Sequence, residues 1–420
     1  MPSFSRYVLE VRPVTNTLLI AVGLSVLAVS SRASAQGGAR AEPDVSKARV
    51  RVGRLLLNPT IGLTNFGVDT NVFNEPDQSA PKHDVTLTVT PQTDLWLRMG
   101  PSWMTGNVKE DIVWYQKFAS ERSANNSVKM GWLLPLNRLT LDVDTAYLRT
   151  RDRPGFEIDA RSQRNELAYH GSVEFRARPK TFVAIRGDRK TTSFDSVATF
   201  GGVSLREALN RTVTSERVTV RQQLTPLTAV TVNVGRSQDR FEFSPLRDSD
   251  STDVSVAVTL DRFALIKGSA SVGYRDFQPV SASLPAYKGA TAAADLSYVA
   301  FGTTRVGLQA TRDVQYSFDV NEPYYLLTGV AGSLAQRIAR PVDVVGRIGV
   351  QQLDYRDRIG VTVTARNRID YVHTYGGGIG YHMGNDVRIG FNVDQQYRTS
   401  PVGYREYHGL RFGTSVTYGY

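Results

Sequence analysis

Residues 387–398 read Val387-Arg388-Ile389-Gly390-Phe391-Asn392-Val393-Asp394-Gln395-Gln396-Tyr397-Arg398. Val387, Ile389, Phe391, Val393 and Tyr397 share one parity, while Arg388, Asn392, Asp394, Gln396 and Arg398 share the other. Successive side chains of a strand point to opposite faces, so this stretch makes a strand with one apolar and one charged face. It is also long, since strands of soluble sheets run about five or six residues.

The same alternation recurs outward from this point. In 304–320, Val306, Leu308, Val314, Tyr316 and Phe318 oppose Arg305, Gln309, Asp313, Gln315 and Asp319. In 254–260, Val254, Val256, Val258 and Leu260 oppose Ser255, Ala257 and Thr259. Counted along the chain, the pattern predicts eighteen strands, with sixteen as the alternative; the spans include 54–68, 84–99, 102–118, 127–135, 252–263, 304–320, 386–398 and 406–420. The phase is irregular in 102–118, where Glu110 and Ile112 share a face.

Connections alternate in character too. Tight turns such as Gly100-Pro101-Ser102, Pro179-Lys180 and Gly302-Thr303 alternate with longer, charged stretches at 72–83, 119–127, 152–161, 195–211, 244–251, 278–288 and 357–366. Alternating faces joined by short turns on one side and long loops on the other are the signature of a transmembrane barrel of an outer membrane. The expected fold class is therefore all-β, an antiparallel up-and-down barrel with both ends periplasmic. No helix-period domain and no apolar run of about eighteen residues is present, but barrel strands expose only every second side chain to lipid.

Residues 1–35 read as a signal peptide: Arg6 and Arg12 are its basic start, Leu18 to Val29 its apolar centre, and Ala33-Ser34-Ala35 its cleavage site. Residues 36–52 read as a flexible periplasmic lead and 53–420 as the barrel. At the other end Leu410, Phe412, Val416, Tyr418 and Tyr420 share a face, and Arg411 to Tyr418, with Gly413, Val416 and Tyr418 at the fixed positions, resembles the polar-x-Gly-x-x-apolar-x-apolar signal read by the barrel-assembly machinery, an expected partner beside outer-membrane lipid.

Composition excludes several chemistries. There is no cysteine, and the five histidines (83, 170, 373, 382 and 408) have no metal-ligand spacing, so no metal and no cofactor is expected. No GxSxG elbow marks a hydrolase, and no enzyme is expected. The net charge is +10, yet the basic residues are scattered singly beside carboxylates, so no nucleic acid is expected to bind.

The polar strand faces carry the functional signal. On the inward parity stand Arg98, Arg176, Arg186, Arg217, Arg221, Arg275, Arg305, Arg337, Arg347, Arg368 and Arg388, with Asp142, Asp144, Asp313 and Asp394 among them. Arg178, Arg398 and Arg411 share that parity, as do His170 and His382. Rings of arginine favour anions, and the guanidinium fork suits carboxylate and phosphate. The opposing reading is that these arginines pair with the wall's acids and only stiffen it. In the loop 195–211, Ser204 with Glu207 three residues on predicts a capped short helix, placing Arg206 and Glu207 at a constriction or lid. Trp96, Trp103, Trp114, Trp132, Tyr298, Tyr371 and Tyr381 read as the interfacial girdle, with Trp96 and Tyr325 the alternative inward stacking platforms.

Leu57-Asn58-Pro59-Thr60-Ile61-Gly62-Leu63-Thr64-Asn65, Asn71-Val72-Phe73-Asn74, Ser204-Leu205-Arg206-Glu207-Ala208-Leu209-Asn210, Arg240-Phe241-Glu242-Phe243-Ser244-Pro245-Leu246-Arg247-Asp248 and Asp313-Val314-Gln315-Tyr316-Ser317 carry a resemblance. From about residue 55 onward the chain resembles a family of outer-membrane β-barrel porins linked to exopolysaccharide and capsule gene clusters. The resemblance implies an outer-membrane channel passing exopolysaccharide or small anionic solutes. Two other readings stand beside it: a structural or adhesive barrel with a blocked lumen, and a barrel enzyme.

Overall fold

The computed structural model describes residues 42–420, apart from 262, 263, 340, 385 and 420. The expected leader at 1–35 and the terminal Tyr420 lie outside the described residues. The strands, in chain order, are β1 Leu55–Asp69, β2 Asp84–Met99, β3 Ser102–Tyr115, β4 Ser123–Pro135, β5 Leu139–Asp152 and β6 Ser162–Arg178. They continue as β7 Thr181–Phe194, β8 Arg211–Thr225, β9 Thr228–Phe241, β10 Ser249–Leu260, β11 Ile266–Pro279 and β12 Tyr287–Ala300. The last are β13 Thr304–Tyr316, β14 Tyr324–Ala339, β15 Val342–Arg356, β16 Ile369–Met383, β17 Val387–Thr399 and β18 Tyr407–Tyr418. Each pairs antiparallel with its chain neighbours. The lead ends in a short strand, Val50–Val52, folded back on Leu55–Leu57.

The ring closes where β1 meets β18, in a register running from Ile61 opposite Tyr418 to Asp69 opposite Arg411. The barrel thus has eighteen strands, not the alternative sixteen. Closure removes the free sheet edge, whose unpaired amides would each cost several kcal/mol in lipid. The seam is irregular: the register shifts between Leu63 and Phe66, and Asn65 takes φ 54°, the left-handed region that asparagine tolerates. Beside it the backbones crowd so closely that a Cβ on Gly67 would lie 2.0 Å from the Phe412 carbonyl oxygen.

Parity sorts the two faces. Val183, Ile185, Val218, Val220, Val232 and Val234 are exposed and form part of a continuous apolar belt around the outside. Their neighbours in sequence, among them Phe182, Ala184 and Thr219, are buried on the interior face. Leu410, Phe412, Val416 and Tyr418 of β18 also face outward.

Several strand limits shift. The expected 102–118 ends at Tyr115, 127–135 begins at Ser123, 252–263 is Ser249–Leu260, and 304–320 stops at Tyr316. The last case has a clear cause: Ser317 and Phe318 leave the ladder to bond the Glu157 carboxylate. Glu110 and Ile112 share a face, as the alternation predicts. Glu110 pairs in regular register with Asn126 on the outward parity, while Asp111 turns inward to accept a 2.6 Å bond from Thr90 Oγ1.

Eight short connections lie on one rim and nine longer ones on the other. Strands β1 and β18 begin and end, respectively, on the short-turn rim.

Candidate functional site

The interior face is a lattice of ion pairs. Arg221 meets Glu174 at 2.8 Å and lies over the Phe182 ring. Arg275 meets Asp313 at 2.9 Å, Arg347 meets Asp394 at 2.7 Å, Arg388 meets Asp343 at 2.6 Å, and Arg217 meets Asp253 at 3.5 Å. Arg186 stands opposite Arg217 in the β7–β8 register. The two inward histidines are held by acids: His170 by Asp188 at 2.6 Å, and His382 by Asp343. Asp142 and Asp144 stand beside His170 and make no hydrogen bond or ion pair to a described residue.

Five of the expected arginines lack a carboxylate partner among the described residues. They are Arg98, Arg176, Arg178, Arg305 and Arg337, each within a few residues of a short turn. Arg98 lies over Trp103 and Arg176 over Phe182, so part of their support is the negative face of a ring. Trp103 was expected in the outer girdle, but it is buried on the interior parity beneath Arg98. A cavity of about 500 Å³ at this rim is lined by Arg51, Arg54, Arg98, Leu56 and Trp103.

At the opposite rim the long loops close over the mouth as a packed cap. Its centre is Glu157, in the loop after β5. The Glu157 carboxylate accepts from Ser317 Oγ at 2.6 Å and from the Phe318 amide at 3.2 Å, both in the loop after β13. Those two loops stand at nearly opposite points of the ring, so the contact spans the opening. The Glu157 carbonyl accepts from Arg398 and Arg405, and Arg398 also meets Asp159 at 2.6 Å. Arg247 donates to the carbonyls of Ala208, Ser317 and Phe318, tying in two further loops. Arg368 meets Glu322 at 2.9 Å and Asp370 at 2.6 Å and is buried in this cap, where it was expected to line the barrel wall.

An apolar cluster supports the polar hub. It joins Ile158, Phe194, Ala198, Leu205, Ala208 and Leu209, with Phe200 and Phe318 packed edge to face against one another. The expected short helix is present as α1, Leu205–Leu209, and the Ser204 hydroxyl accepts from the Glu207 amide at 3.4 Å. Its apolar side enters the cluster, while Arg206 lies over Phe243 and Glu207 is exposed. A second cluster buries Tyr325, Leu327, Leu353, Tyr355 and Val372 with Phe156, so Tyr325 is not available for stacking a sugar.

Burial governs titration in these loops. It pushes the Glu157 carboxyl up, opposed by the Ser317 bond and by Arg405. It pushes Glu322 up to about 7 against the pull of Arg368, and lowers Arg247 to about 10. Glu157 escaped the sequence reading because 152–161 looked merely polar. The apolar flanks Phe156 and Ile158 were the available signal that this loop packs inward.

A family match accords with this architecture. Residues 42–420 match the family described as "Putative beta-barrel porin 2". No curated protein matches the chain. Among solved structures, a BenF-like porin from Pseudomonas fluorescens Pf-5 is similar at 10% identity and TM-score 0.49, over 87% of this chain and 98% of that one. OccK9 (OpdG) of Pseudomonas aeruginosa is similar at 11% identity and TM-score 0.47, over 86% and 97%. The chain belongs to this β-barrel porin family, and it is a porin-like barrel of the bacterial outer membrane.

Proposed function

We propose that the barrel is a channel for anionic solutes, segments of acidic exopolysaccharide among them, which are drawn in at the short-turn rim. The observation that carries this reading is where the arginines without a carboxylate partner among the described residues stand. Farther up the wall Arg217, Arg275 and Arg347 are neutralised by acids, and at the short-turn rim Arg388 is paired with Asp343, whereas Arg98, Arg176, Arg178, Arg305 and Arg337 leave a net positive field beside the short turns. Charges lining a passage act on a solute within about one Debye length, about 8 Å at physiological salt. Arg51, Arg54 and Arg98 around the rim cavity add the geometry of an anion funnel. The short-turn rim is taken as periplasmic, as in outer-membrane barrels generally.

Reversal potentials in planar bilayers under a salt gradient test the reading. Anion preference that weakens at high salt is expected, and the triple variant R98E/R305E/R337E should lose most of it. Cation preference in the wild type would end the proposal.

The cap favours a second reading, a barrel with a blocked mouth and a structural or adhesive role. Absence of conductance from correctly inserted protein, at all voltages and between pH 5 and 8, would select it.

A further inference from the structure

We infer that Asp142, Asp144 and His170 form a binding site for a divalent cation of the Zn²⁺ class on the interior wall. Asp142 and Asp144 are two residues apart on β5, so their carboxylates share one face. Asp144 is directly opposite His170 of β6, and His170 is directly opposite Asp188 of β7. One ligand atom from each of Asp142, Asp144 and His170 lies within 4.8 Å of the others. Ligands on a tetrahedral zinc at about 2.0–2.2 Å stand roughly 3.4 Å apart, a distance that small side-chain rotations supply here.

Two observations separate this cluster from ordinary wall charge. The first is compensation. Glu174, Asp253, Asp313, Asp343 and Asp394 each have an arginine within 4 Å, whereas neither Asp142 nor Asp144 has any such partner among the described residues. Arg186 attracts Asp142 and Lys129 attracts Asp144 at longer range, so their compensation is only partial. Two carboxylates sharing one face repel one another, and a shared cation removes that repulsion.

The second is the orientation of the imidazole. Asp188 holds His170 Nδ1 at 2.6 Å and itself accepts from Ser215 Oγ of β8 at 3.4 Å. Metal-binding histidines characteristically give their second nitrogen to a carboxylate, which fixes the ring and raises its basicity. Nε2 is then left as the ligand atom. One imidazole and two carboxylates suit Zn²⁺ and its first-row neighbours better than Ca²⁺ or Mg²⁺, which prefer all-oxygen sets. Three protein ligands leave a fourth position for water or for an anionic group of a solute. The site follows from the register of β5, β6 and β7, whatever solute the barrel passes.

The test uses the purified, folded barrel, stripped with chelator and titrated with Zn²⁺ against a competing fluorescent chelator. One zinc per chain is expected to bind in the wild type. D142N/D144N should weaken it at least tenfold, and H170Q likewise. The outward Glu216→Gln variant should bind as the wild type does. Heat-dependent gel mobility confirms that each variant is folded. Failure of the wild type to bind zinc at tens of micromolar would overturn the inference, as would unchanged affinity in folded D142N/D144N.

Discussion

At the scale of single residues, the barrel depends most on a few positions where no side chain fits. Gly67 and Gly413 face each other across the closing seam, and a Cβ on Gly413 would lie 2.8 Å from the Phe66 carbonyl oxygen. Glycine at 413 was legible in the sequence as part of an assembly pattern. Its steric reason was not, because the close approach exists only once β1 and β18 meet. Gly67→Ala forces backbone apart beside an existing bulge, and overpacking of this kind costs about 1–3 kcal/mol. We expect a folded Gly67→Ala barrel to lose its heat-modifiable gel shift at a lower temperature than wild type. An unchanged transition would show that the seam is slack. The lumen arginines teach the complementary lesson. Parity placed them on one face, but only contacts separate Arg221, neutralised by Glu174, from Arg305, which has no carboxylate partner among the described residues.

At the scale of elements, the strands and the loops were unequally legible. Strands such as β17 and β10 are written in period-two alternation, which needs no tertiary information. The loop after β5 is not. Its role as the hub of the cap comes from Ser317 and Phe318, residues 160 and 161 positions distant in sequence. This cap should respond to pH. Glu157 and Glu322 have carboxyl pKa values raised by burial in the closed cap. A raised closed-state value contributes stability below the open-state pKa, and that contribution is lost as pH rises through the closed-state pKa. With Glu322 near 7, the loss falls between about pH 5 and pH 8. The cap should therefore be tight at pH 5 and looser at pH 8. Loop proteolysis and single-channel conductance should both rise over that window. Glu322→Gln should flatten the profile, and a profile that instead falls with pH would contradict the assignment.

At the scale of the whole molecule, closure decides whether the barrel exists. Tyr418 is paired on both sides, with Ile61 of β1 and Val387 of β17. Deleting Tyr418 to Tyr420 removes the last rung of that closure and the outward aromatic at its end. The truncated chain is expected to fail in outer-membrane assembly and to be degraded, read as loss of the heat-modifiable species from the membrane fraction. Accumulation at wild-type level would mean that the seam forms without its last rung. The amino-acid sequence by itself determined the strand number, the apolar belt and the two rims, because alternation and turn chemistry are local and lipid permits only one way of satisfying every strand amide. Tertiary structure alone decided which arginines are compensated by a carboxylate, that the long loops meet as a cap around Glu157, and that His170 stands beside Asp142 and Asp144. Those outcomes depend on the register between strands and on loops crossing the ring, and neither quantity is encoded in any short stretch of chain.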